Sequence, residues 1–223
     1  MKRIVLLALV LVVLFSFCSC MYDQSSYKDG DDTAPFNSFY YSNFWGDAYV
    51  GYYIWDGTEE GKTIVIPESY KDYPITKLGG YFGRGLPTPF FVSLTAEVQE
   101  LLFPNAYDWW RTWVQSYPKT TSNGVEPSDV QYITFNIHLS KNIKEFTNTH
   151  LDYVYEASYE DNGETKKIAL VYTYHFTCDE NNETFYAKDG KIYYRKDDTL
   201  VERILYEDFD LIEYFQDMKD STT

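Results

Sequence analysis

The chain has 223 residues, with 34 acidic side chains against 19 basic ones and a formal net charge of −15 at pH 7. Nucleic acid and anionic lipid headgroups require clustered Lys or Arg, so this dispersed acid excess makes both poor partners and no nucleic-acid partner is expected. Three cysteines and three histidines leave no material for a disulfide scaffold or a multi-cysteine zinc site, and no cofactor is expected.

Lys2 and Arg3 precede an apolar run from Ile4 to Phe17 that only Ser16 interrupts. At about fourteen residues the run is short for a membrane span and the right length for a signal-peptide core. Phe17-Cys18-Ser19-Cys20 follows. An apolar residue three before Cys20 and a small one just before it resemble a bacterial lipoprotein signal, in which the cysteine is lipidated and becomes the new N-terminus. An ordinary cleaved signal without lipid is the alternative. The chain is therefore divided into a signal peptide at 1–19, a flexible tether at 20–38 and one domain at 39–223. About 200 mature residues are enough for a real core. Acylation of Cys20 leaves Cys178 without a disulfide partner.

Aromatics make up 19% of the chain, with 23 tyrosines, a composition that favours strands. The tether carries Gly30, Asp31, Asp32 and Pro35. Tyr49 to Trp55 reads as a strand, Asp56-Gly57 as a turn and Thr63 to Ile66 as the returning strand, ended by Pro67. Gly79, Gly80, Gly83 and Gly85 punctuate a loop. Thr95 to Phe103 is ambiguous between helix and strand. Asn105 to Asp129 holds Trp109, Trp110 and Trp113 and then a turn-rich run, and reads as a long loop. Ile133, Phe135, Ile137 and Leu139 alternate along a half-buried strand, and Ile168 to Phe176 reads as another. Asp189-Gly190 between aromatic runs is a hairpin signal. Leu205, Phe209, Ile212 and Phe215 approach helical spacing in the tail.

Four apolar runs end at Ile66, Phe103, Leu139 and Phe176, spaced 37, 36 and 37 residues apart. Near-constant spacing points to stacked coils with one strand per turn. In that register Val65, Leu102, His138 and His175 form an outward ladder. His138 and His175 then sit on adjacent strands, roughly 5 Å apart across the hydrogen bonds.

Ile66-Pro67, Tyr70, Pro74-Ile75-Thr76 and Leu78-Gly79 form one motif, and Asp179, Asn181, Asp189-Gly190, Ile192-Tyr193 and Lys196-Asp197 form a second. Together they resemble the bacterial BspA-like leucine-rich repeat family. Asp72 stands where that family has glycine, and Tyr81-Phe82 stands where it has Ala-Phe. Residues 86–130 have no counterpart in the family pattern. The resemblance implies a β-rich α/β fold: a short leucine-rich-repeat solenoid with long inter-strand insertions and a C-terminal helix. It also implies surface attachment, adhesion and protein–protein contact, and it carries over no catalytic residue.

Candidate sites are few. No His-x-x-x-His pair exists and no cysteine lies at metal spacing, so no metal site is expected. Asp179 to Glu183 lacks the spacing and glycine of a calcium loop and reads as a solvated turn. No serine sits in a nucleophile elbow, and no two carboxylates stand out as a glycosidase pair. Trp109, Trp110 and Trp113, with Tyr107 and Tyr117 nearby, are the ligand-binding candidates. They either grip a peptide or sugar or dock an insertion by their own packing, the second reading being preferred. The expectation is a lipid-anchored extracytoplasmic interaction or adhesion protein with no catalytic activity and a protein or glycan partner. A glycan-binding or glycan-cleaving envelope protein is the alternative.

Overall fold

The computed structural model describes residues 28–29, 35–42, 45–82, 86–114, 129–147 and 150–221. The expected signal peptide at 1–19, Cys20 and Tyr117 lie outside the described residues. A seven-stranded sheet runs β1 (Lys28–Asp29), β2 (Phe36–Ser42), β3 (Asp47–Trp55), β6 (Tyr73–Leu78) and β12 (Glu145–Phe146). Off that path, β5 (Ser69–Tyr70) pairs with β6 and β9 (Phe91–Leu94) with β3. β2 begins at Phe36, inside the stretch expected as tether. A five-stranded sheet runs β10 (Tyr107–Trp113), β13 (Tyr153–Asp161), β14 (Glu164–Cys178), β11 (Asp129–Leu139) and β4 (Thr63–Val65). Two hairpins complete the strands: β7 (Gly80–Phe82) with β8 (Leu86–Thr88), and β15 (Phe185–Lys188) with β16 (Lys191–Tyr194).

The main core lies between the two sheets. Val50, Trp55, Ile75 and Leu78 from the first meet Phe135, Ile137, Leu170, Tyr172 and Phe176 from the second. Trp55 packs edge-on against Phe135 with ring centroids 5.4 Å apart. The alternation read at Ile133 to Leu139 is the burial pattern of β11, because successive side chains of a strand point to opposite faces. β14 is central and buried on both faces. Leu170, Tyr172 and Phe176 enter the main core, while Ala169 and Val171 face the C-terminal helix Leu211–Asp220 through Leu211 and Phe215. Double coverage explains its nearly unbroken apolar run. Asp210 caps that helix, its Oδ1 accepting from Ile212 N and Glu213 N.

Thr95 to Phe103 resolves as a helix, Ala96–Leu102, because the Thr95 hydroxyl accepts from Val98 N at 3.3 Å and caps it. Asp189 and Gly190 both have positive φ, 51° and 74°, as a two-residue hairpin turn of this kind demands. A Cβ at Gly190 would come within 2.6 Å of His175 Nδ1, so glycine is required there for space as well as for conformation.

The solenoid expectation is overturned. Phe103 ends a helix, so one of the four supposed coils has no strand end at all. The segments between the remaining ends contribute β5, β6, β9 and β12 to the seven-stranded sheet and β10 and β13 to the five-stranded one instead of stacking as coils. Thr63 to Val65 does not return on β3. It pairs parallel with β11 in the other sheet, Val65 opposite His138. β11 and β14 are parallel neighbours, but Leu139 lies opposite Cys178 and Phe176 opposite Ile137, a slip of two residues from the expected register. The antiparallel β13 then flanks β14, which no one-strand-per-turn coil allows. Within the stretch read as a Trp-bearing loop, Tyr107–Trp113 forms β10. The β-rich fold and the C-terminal helix are as expected.

Candidate functional site

Tyr107 to Trp113 reads YDWWRTW, and aromatic and threonine side chains suit a half-buried pleated surface. β10 pairs antiparallel with β13, Trp110 opposite Glu156 and Trp113 opposite Tyr153. A register shift between Tyr107 and Trp110, with Asp108 at φ 53°, bends its first residues.

The bend and the alternation separate the aromatics by role. Trp109 packs on the main core, 5.5 Å from the Phe103 ring. Trp113 stacks on Tyr153 at 3.9 Å and meets the His150 ring edge-on at 4.6 Å. Tyr107 and Trp110 are exposed, at 39% and 37%, and the Tyr107 hydroxyl donates to Glu160 Oε1 at 2.7 Å. Two of the predicted binding residues are therefore packing residues, and two face solvent.

Sequence reasoning missed Arg111. Its guanidinium lies 4.6 Å from the Phe91 ring and 4.3 Å from the Tyr153 ring, held between two π faces. Phe91 stacks in turn on Tyr52 at 5.0 Å, and Arg203 lies over Trp113 at 5.4 Å. A continuous rim of rings and guanidinium groups thus runs Tyr52, Phe91, Arg111, Tyr153, Trp113, Arg203. These residues come from β3, β9, β10, β13 and the segment before the C-terminal helix, so no local motif announces them. Arg111 is exposed, and no carboxylate among the described residues pairs with it.

Beside the rim is a polar clamp. Asp152 is 4% exposed. Arg203 Nε lies 3.3 Å from its Oδ2, and His150 Nδ1 lies 3.5 Å from its Oδ1. Arg203 Nη1 donates to His150 Nε2, while His150 Nδ1 and Asp152 Oδ1 are buried without a hydrogen bond among the described residues. Burial pushes the Asp152 carboxyl up to about 6. No hydroxyl or thiol among the described residues bonds to the imidazole, so the trio ties residue 203 to the start of β13. Glu156, 1% exposed, is held separately by Lys167 Nζ at 2.8 Å.

The other histidines stand apart from this rim. His138 Nδ1 is 2.9 Å from Thr177 Oγ1, and His175 Nδ1 is 2.9 Å from Glu207 Oε2. They lie on adjacent strands and outside the core, as expected, but His138 faces Thr177 and His175 faces Asn136. Leu102, the remaining member of the expected ladder, is on the helix. No group of three metal-ligating side chains occurs among the described residues. Asp179 to Glu183 is a turn, with Asn181 N donating to Asp179 Oδ1 at 2.8 Å. Half-buried Cys178 is held well above the usual thiol range, at about 11, by burial, so it is a poor nucleophile. Comparison with known proteins finds no matching family model, curated protein or solved structure.

Proposed function

We propose that this chain is a lipid-anchored, extracytoplasmic interaction protein without catalytic activity, and that β10 presents its contact surface. The anchor rests on the basic start, the apolar run and Ser19-Cys20. Adhesion is what the resemblance of residues 62–82 and 176–201 to BspA-like repeats implies, although the solenoid of that family is not formed. The observation that carries the contact surface is the exposure of Tyr107 and Trp110 on a terminal strand. Exposed aromatics beside an arginine are the residue types that dominate protein contacts. A glycan partner is the second reading, favoured by the stacked Tyr52–Phe91 pair.

Mass spectrometry of the membrane fraction tests the anchor. The expected species begins at Cys20 and carries lipid on its sulfur. A mature chain found unmodified in the soluble fraction contradicts the reading.

A further inference from the structure

We propose that the outer edge of β10, unpaired among the described residues, accepts an extended peptide strand whose carboxylate side chain pairs with Arg111. The inference rests on the reading of this chain as an interaction protein and specifies how it would grip a partner.

β10 ends its sheet and is hydrogen-bonded by one neighbour among the described residues, β13. Val114 N donates to Asp152 O at 2.8 Å. Trp110 and Thr112 share that phase, so their backbone groups turn toward β13. Arg111 and Trp113 have the opposite phase, and no described residue hydrogen-bonds the backbone groups they turn outward. Natural edges are blunted by charged side chains, especially Lys, by Pro, bulges or a covering element. From Trp110 to Val114 there is neither Lys nor Pro, and Arg111 is the one charge on this stretch. The bulge lies before Trp110 and leaves about five regular residues, roughly 17 Å of strand.

Arg111 sets the chemistry of the occupant. A residue directly opposite it on an added strand has its Cβ about 5 Å away, within reach of Asp or Glu. The flanking rings fix the guanidinium, so little side-chain freedom is lost when it pairs. Two residues further along the same face, the added strand meets Trp113, which favours an apolar side chain. The net charge of −15 repels a polyanion, so the fitting strand carries one carboxylate among neutral residues.

The test uses the full chain in neutral detergent and a fluorescent probe, acetyl-Thr-Val-Thr-Glu-Thr-Val-Thr-amide, read by anisotropy. Saturable binding is expected, about tenfold weaker for the probe with Gln in place of Glu. Arg111→Gln should erase that preference, and Arg111→Lys should restore part of it. For a probe added antiparallel, N-methylation of its Glu amide should abolish binding and N-methylation of the following Thr amide should spare it; a parallel probe reverses the two. Loss of binding in Arg111→Gln counts only if its melting temperature is unchanged; the two N-methylated probes need no variant. Absence of binding at millimolar probe overturns the proposal. So does equal tolerance of both N-methyl groups, or a dimer of this chain that Arg111→Gln dissociates. The wider reading fails separately, on the state of the N-terminus.

Discussion

Asn182 shows how much one side chain can hold. It is buried in the turn read from sequence as solvated, and it satisfies four backbone groups. Its Nδ2 donates to Ser140 O and Ile143 O at 2.8 and 3.0 Å, and its Oδ1 accepts from Thr184 N and Phe185 N. Asn182→Asp keeps the shape and loses the donor. We expect it to cost about 2–4 kcal/mol in urea unfolding, since two buried carbonyls lose their partner; a cost under about 0.5 kcal/mol contradicts the role. Asp152 makes a pH-dependent contribution. Its carboxyl is raised from 3.8 to about 6 by burial, so its contribution favours folding below about pH 4 and is lost as pH rises through about 6. Relative to Asp152→Asn, wild-type stability should therefore fall by on the order of 2 kcal/mol between pH 4 and pH 7.5. Parallel stability curves for the two proteins would show that Arg203 cancels the burial effect.

At the level of elements, β10 was the least legible piece and is the most consequential. Its tryptophans were visible at once, but the bulge that sends Trp109 inward and Trp110 outward depends on pairing with β13, more than forty positions later in the chain. Trp109→Ala should cost about 2–4 kcal/mol, somewhat below the range for a fully buried Trp. Trp110→Ala should change stability by less than about 0.5 kcal/mol, as surface substitutions do. Thermal melts of the two variants check this, and equal costs would contradict the assignment of faces. Elements with local signals were readable in advance. The Asp189-Gly190 turn, the alternation in β11 and the apolar run of β14 each follow from neighbouring residues. The 36–37-residue spacing was not a repeat, because an end-of-run pattern does not distinguish the Thr95-capped helix from a strand.

For the whole molecule, a sequence pattern exposes which residues are buried and leaves open which strands meet. Thr63 to Val65 reads as a hairpin partner of β3, yet it joins β11 across the core. The rim at Arg111 is assembled from five separate parts of the chain, and therefore appears only once both sheets are in place. Pairing of a partner strand with Arg111 depends on the outer edge of β10 being free. Amide hydrogen exchange measured residue by residue tests that claim most directly. Arg111 and Trp113 amides should exchange rapidly, while those of Thr112 and Val114, turned toward β13, are protected by orders of magnitude. Equal protection of all four would mean that another segment already covers the edge, and would contradict the account.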